Sequence, residues 1–356
     1  MQLMDYMKMY TPTKRIASEP QPWSSIGMPQ VSLDAAGLVA LADLATTAHR
    51  TALTGTSAFL DVFVLCPGLH RQQTAPGLNG GEYPAVAAMT SGYVFRVENP
   101  ATVVYLQKVG LTGQLTTLSV TKINHQHRRL AELLSMLYTF ENSTVISSAA
   151  YMCAVAATIV VLSLMFVIED WWGVFVILLL MFGRLCNSFV IRRRSQLGWQ
   201  GASEPGKNGD LLVLLSQDRW IRMRGAVDDL KAVTSGQWLR DSTFVESSVS
   251  AFATLLVYLD AALASNVSQL GKVLLLVLLI SSAALLSIAN VRTDELQMHG
   301  YIIKINGPRR KYERRLHMAK ELIKESGRDD WAARLGMINP NADDTTKAKP
   351  EGAVTM

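Results

Sequence analysis

Cysteine is scarce in this chain. Only Cys66, Cys153 and Cys186 occur, and the last two fall inside long apolar runs. None lies in a polar turn between such runs, so no disulfide framework is expected. Basic tracts are missing as well. The first 120 residues contain no Lys/Arg cluster that would suit a nucleic acid, and the net charge of +5 is modest. Met1–Lys14 has no continuous apolar core, so no cleaved signal peptide is expected, and the first apolar run must act as the targeting signal. The chain has no G-x-S-x-G elbow, no dinucleotide fingerprint and no H-E-x-x-H. These absences leave no catalytic residue, cofactor or metal to nominate, and they lean the reading away from an enzyme.

Two near-motifs fail on context. Gly201-Ala202-Ser203-Glu204-Pro205-Gly206-Lys207-Asn208 has the spacing of a phosphate-binding loop until its last position. There a Ser or Thr must hold magnesium, and this chain has Asn208. A β-like run follows it, where a helix N-terminus would be needed to meet the phosphate. His125 and His127 could share one strand face, but no Cys or carboxylate cluster accompanies them.

What the chain does have is four long apolar runs, Val145–Ile168, Trp171–Ile191, Ser247–Ala264 and Val273–Ile288. Each is about long enough to cross a hydrocarbon core of roughly 30 Å at 1.5 Å per residue. They form two tight hairpins. Arg128 and Arg129 precede the first, and Arg192, Arg193 and Arg194 follow the second. Arg240 precedes the third, and Arg292 follows the fourth. The turn at Glu169-Asp170 carries no basic residue, and Trp171 and Trp172 sit beside it as interfacial indoles. The positive-inside rule then puts both termini and the 192–246 loop in the cytosol of an endomembrane or plasma-membrane protein. Neither sequon is expected to be glycosylated. Asn142 falls on the cytosolic side, and Asn266 lies in a turn pressed against the bilayer.

Ionisable residues at membrane depth are functional candidates by default. Arg184 lies about 13 residues from the external end of its span, so its stem can snorkel toward Arg192–Arg194. Asp260 lies nearer the external side, which weakens a direct pair between the two. Lys272 is the better partner for Asp260, because the two are equally spaced about Asn266 at the turn apex. Ala149, Cys153 and Ala157, four residues apart, form a small-residue stripe expected to pack against another span of the same bundle, with a dimer contact as the alternative.

The remaining segments read as soluble. Residues 1–30 and 339–356 lack periodicity. Region 31–142 offers an amphipathic helix at Leu33–His49 and β-like runs at Ala58–Leu65, Tyr93–Val97, Thr102–Lys108 and Leu115–Lys122. It ends with an amphipathic helix at Arg128–Phe140 that would lie along the lipid surface. Region 192–246 offers a hairpin, Leu211–Leu215 and Arg219–Arg224, and a helix at Val227–Val233. After the hairpins at 143–191 and 247–290, region 291–338 offers a strand at Leu296–Ile305 and helices at Arg309–Glu325 and Asp329–Leu335. Because strands occur in all three soluble regions, the economical fold is integral-membrane and α-helical. A four-helix transmembrane bundle of two hairpins would carry one α+β cytosolic domain assembled from three chain segments.

The densest polar stretch is Gln217 to Arg224, followed by Asp228-Asp229. An exposed hairpin with local ion pairs explains it. The sharper reading is a docking surface for a protein partner or lipid headgroups, with Trp220 as anchor and Arg222 and Arg224 as charge contacts. The stretch Ser216-Gln217-Asp218-Arg219-Trp220-Ile221-Arg222 through Thr234-Ser235-Gly236-Gln237-Trp238-Leu239 resembles uncharacterised multi-pass membrane proteins of filamentous fungi. That resemblance implies a fungal membrane protein with no assigned reaction, of a kind sometimes encoded beside secondary-metabolite pathways. Three expectations follow. The first is a non-enzymatic interaction or organising component, with the bilayer and cytosolic proteins as partners. The second is a transporter or channel subunit that uses Asp260 and Arg184. The third is an accessory that tethers a biosynthetic enzyme.

Overall fold

The computed structural model describes residues 36–123, 145–196, 198–199 and 201–339. Residues 1–30, the helix expected at Arg128–Phe140, the His125/His127 pair, the Asn142 sequon and all but the first residue of the tail from 339 lie outside the described residues.

Four helices are long and apolar enough to cross a membrane. They are α3 (Val145–Val167), α4 (Trp171–Arg194), α6 (Phe244–Leu263) and α7 (Gln269–Val291). Their starts are fixed by side-chain caps. Asp170 accepts from the Gly173 amide at 3.0 Å, and Ser268 Oγ accepts from Gly271 at 3.0 Å. Thr243 and Glu246 form a reciprocal capping box on α6.

A mixed sheet of eight strands forms the second part, with path β2-β1-β4-β5-β3-β7-β6. Its first three strands are β1 (Ala85–Ala88), β2 (Val94–Arg96) and β3 (Gln114–Lys122). β4 (Asn208–Leu215) and β5 (Arg219–Ala226) come from between the helix pairs. β6 (Glu295–Met298), β7 (Tyr301–Ile305) and β8 (Arg310–Lys311) follow the last helix. β3 joins the three contributions. It runs parallel to β5, with Leu115 opposite Trp220, and antiparallel to β7, with Val120 opposite Ile303. Each helix pair therefore leaves the sheet and returns to it. A bilayer crossed by all four helices would have the whole sheet on one face.

Short-range chemistry sets the hairpins. Gln217 and Asp218 both have positive φ, 60° and 51°, so the β4–β5 turn is of the primed kind whose twist matches the strands. The same device at His299 and Gly300 splits the strand expected at Leu296–Ile305 into β6 and β7. The run Thr102–Lys108 is helical, not extended. Asn99 caps the Thr102 amide and Pro100 sets the first turn of α2 (Pro100–Val109), and these signals outweigh the β-branched composition. The charged helix expected from Arg309 starts only at Arg315 as α8 (Arg315–Ser326), because Arg310 and Lys311 pair with β3 instead.

The two sheet faces have separate cores. One gathers α1 (Thr46–Thr54), α2 and α5 (Val227–Thr234), with Tyr105, Val120, Ile221 and Trp238. The other holds α8 and α9 (Asp330–Arg334), with Met318, Leu322 and Trp331 packed on Trp220, Leu115 and Leu212.

The helix bundle departs from simple hairpin packing. α3 runs along α7 and α4 along α6, so the close neighbours belong to different hairpins. The 3₁₀ segment Ala36–Leu41 lies against both α6 and α7. A Cβ at Gly37 would stand 2.6 Å from the Ala261 carbonyl and from Ala264 Cβ, so only glycine permits this approach. The single helix expected at Leu33–His49 is thus two pieces, and Gly37 sits at the bundle end remote from the sheet. The run expected as a strand at Ala58–Leu65 is a 3₁₀ turn, Phe59–Phe63, seated between α3 and α4. The 3₁₀ pieces Ala36–Leu41 and Phe59–Phe63 pack on the long helices, α1 between them and the sheet joins the sheet-face core, and residues 85–122 build the sheet domain. Each of these two 3₁₀ pieces lies against two of the four long helices.

Candidate functional site

The inserted stretch brings a polar network into the sheet-side half of the bundle. Ser57 and Asp61 are placed by a turn whose Ala58 amide donates to Asp61 Oδ2 at 2.9 Å. Ser57 Oγ lies 2.6 Å from the same oxygen and 3.0 Å from Ser188 Oγ on α4. Tyr151 on α3 donates its hydroxyl to Asp61 Oδ1 at 2.6 Å. Arg184 on α4 donates Nε to the Asp61 carbonyl at 3.1 Å. Gln72 donates to Thr51 and Ser57, and Asn187 donates to the Leu69 carbonyl. Arg50 lies 5.2 Å from the Tyr151 ring centroid and donates to Thr293 Oγ1 at 3.1 Å, reaching the end of α7. Three helices are thereby joined through groups supplied by the inserted stretch.

Arg184 is 1% exposed and turned inward to Asp61. The expected snorkel toward Arg192–Arg194 is not what the side chain does. Its Nη1 has no hydrogen-bond partner among the described residues. Asp260 is 0% exposed, and neither of its oxygens is hydrogen-bonded among the described residues. The expected Asp260–Lys272 hydrogen bond is therefore absent, although Lys272 is also buried. Gly183 faces Ala253 and Val257, so Arg184 lies about one 5.4 Å helical turn nearer the sheet than Asp260. The structure does not bring them together.

At the far end Asp170 ties the two helix turns. Its Oδ2 accepts from the Ser268 amide at 3.0 Å and from the Ser268 hydroxyl at 2.6 Å. The small-residue stripe is turned the other way from its expected role. Ala149 and Cys153 are exposed and Ala157 is partly so, while Ser147, Ala150, Ala154 and Thr158 face inward. The 3.6-residue period allowed either face, and the polar Ser147 and Tyr151 fixed the inner one.

The expected docking triad is also divided. Trp220 is 3% exposed under α8 and α9, with its ring edge-on to Tyr312 at 6.3 Å. Arg222 is 2% exposed and grips Asp210 with Nε at 2.8 Å and Nη2 at 2.6 Å, while Nη1 donates to Glu325. Only Arg224 remains half-exposed, 3.1 Å from Asp210. The Arg222 hydrogen bond, helped by Arg310, holds the Glu325 carboxyl down at about 2. Beside this network lies a cleft of about 600 Å³, lined by Thr90, Asp210, Arg224, Glu325, Ser326 and Arg328. It opens on the α8 face of the sheet, opposite α2.

Asp61 was within reach of sequence reasoning as the lone acid in the apolar run Ala58–Leu65, as were Tyr151 and Ser188 as polar residues inside apolar spans. Arg50 and Gln72 carried no such signal. Among the described residues no group of three or more His, Cys, Asp or Glu could hold a metal ion. The chain matches no family model, no curated protein and no solved structure.

Proposed function

We propose that this chain is a multi-pass membrane protein that organises other proteins at one membrane face. The helices would form a closed pedestal and the sheet domain would present the charged cleft. The observation that carries this reading is that Tyr151, Arg184 and Ser188 on the helices are committed to Asp61 and Ser57 of this chain's own inserted stretch. At the cleft rim Arg224 and Arg328 are exposed, Arg224 beside Asp210 and Arg328 beside Asp330, and Ser326 is half-exposed. Charge-assisted contacts to a partner's carboxylates and cations would suit that mixed rim. A tethered biosynthetic enzyme is one partner class that fits.

The test is photo-crosslinking in native membranes from a reactive residue placed at Thr90 on the cleft rim. One recurrent partner, lost on Arg224→Glu, is expected. Labelling that is indifferent to Arg224→Glu would remove the cleft from the account. Asp260 favours a second reading, because an acid with no hydrogen-bond partner among the described residues, within a helix able to span a membrane, suits proton or cation movement. Vesicles holding the purified protein distinguish the two readings. Flux above that of empty vesicles, abolished by Asp260→Asn, would replace the organising role with transport.

A further inference from the structure

Where α7 ends against the sheet domain, a groove of about 450 Å³ opens between α1, α2 and the last turns of α7. Its walls are Leu53, Leu78, Val104 and Val291, and its rim carries His49 and Lys108. Val291 is also the last residue of an outward stripe on α7, Val277, Ile280, Ala284, Ile288 and Val291, all exposed and spaced at three or four residues. A groove continuous with that stripe is an extension of the lipid-facing surface into the sheet domain. The end of a membrane-spanning helix is also where phosphate headgroups lie.

The rim chemistry agrees. Lys108 Nζ donates to the carbonyls of Asn290 and Thr293 at the end of α7. An ammonium has three donors, so one remains uncommitted among the described residues. The His49 imidazole, on α1 beside it, has no hydrogen-bond partner among the described residues. Burial chiefly, with Lys108 adding to it, keeps the His49 imidazole below its ordinary value, so it is a neutral donor near pH 7. The other charged groups acting on Lys108 are Asp294, which favours its charge, and buried Arg50, which opposes it. Burial is the largest influence and lowers the Lys108 ammonium from its ordinary value.

We propose that the groove holds one glycerophospholipid of the surrounding bilayer. The phosphodiester would meet Lys108 and His49, and the first carbons of an acyl chain would lie between Leu53, Leu78 and Val104 before following the α7 stripe. A pocket of this size, mostly apolar with a few convergent polar groups, suits a small amphiphile. Basic pockets at the ends of membrane helices suit lipid phosphates. The proposal rests on the four helices being membrane-embedded.

The test uses the full chain reconstituted in phosphatidylcholine vesicles with a trace of phosphatidylcholine carrying a diazirine near the acyl carbonyl. After illumination, mass spectrometry maps the labelled peptides. Label on the α1 and α2 peptides is expected, about tenfold lower in Ser287→Trp, which fills the groove from the helix side, and in Lys108→Met, which keeps the stem and removes the charge. A diacylglycerol with the same reactive chain should label these peptides at least fivefold less, because it lacks the phosphate. The α7 stripe around Val277 should be labelled in every case. Stripe label without groove label, or groove label unchanged by both substitutions, would overturn the lipid site alone. No label on the stripe would overturn the membrane reading beneath it. A crosslink from a photoreactive residue at Leu78 to another protein or to a different part of this chain would replace the lipid with that occupant.

Discussion

Away from the capping Asp170 at the far turns, the helix bundle buries two aspartates among the described residues, Asp61 in its sheet-side half and Asp260 in its far half. Asp61, 6% exposed, accepts hydrogen bonds from Tyr151, Ser57 and the Ala58 amide. Asp260 accepts none among the described residues. It shares its helix face with Val257 and Ala264, which join an apolar cluster with Ile177, Leu180 and Leu279. In the first half an irregular segment carries amides and hydroxyls to the acid. In the second half the described neighbours are helices and a glycine-led 3₁₀ turn, and a helix has already used its backbone donors internally. Burial alone therefore does not reveal what a charged residue does for stability. The donors around it decide whether it joins elements or weighs against their packing.

The contrast should be largest at Asp61. Asp61→Ala strips three donors of their acceptor and should cost about 3–5 kcal/mol. Thermal unfolding in mild detergent, followed by tryptophan fluorescence, would register this as loss of the folded form or a large fall in midpoint. Asp260→Leu should move the same midpoint up or leave it unchanged, by about 0–3 kcal/mol, since it removes a polar group with no hydrogen-bond partner among the described residues. A fall comparable to that of Asp61→Ala would erase the distinction. Asp170→Ala removes a cap and the tie to Ser268, so a loss of about 1–2 kcal/mol is expected, with faster proteolysis at the far turns.

The sheet domain offers a pH-dependent counterpart. The Glu325 carboxyl sits at about 2 against an ordinary 4.5, so its ion pairs stabilise fully above the ordinary range. Their contribution fades as pH falls from about 4.5 toward 2. Wild type should lose more of its midpoint between pH 6 and pH 3 than Glu325→Gln does, and equal losses would mean that α8 is held by apolar packing alone. The smallest effect is expected at the outward stripe. Ala149→Leu should change stability by no more than about 0.5 kcal/mol. A change in oligomeric state on that substitution would show that Ala149 and Cys153 face another protein.

Much of the architecture was legible because local signals carried it. Strand periodicity identified β3, β4 and β5, and the Gln217-Asp218 turn was read in place. Composition located all four long helices to within a few residues, except that α6 and α7 start three or four residues earlier, at capping residues. The polar network was mostly hidden. Asp61 meets Tyr151 across 90 residues and Ser57 meets Ser188 across 131, so no local pattern encodes either contact. Trp220 and Arg222 looked available because alternation along β5 gives two faces without saying that α8 covers one of them.

Length, apolar runs and turn chemistry determined by themselves that four helices could cross a bilayer and that each soluble segment carries strands. Those properties depend on residues close together in the chain, where spacing fixes geometry. The tertiary structure alone decided that the strands merge into one sheet through β3. It alone decided that Ala36–Leu41 and Phe59–Phe63 pack into the bundle, and that Asp61 has donors while Asp260 has none among the described residues. Such outcomes depend on which distant groups arrive at the same place, and hydrogen-bond satisfaction exists only once they have.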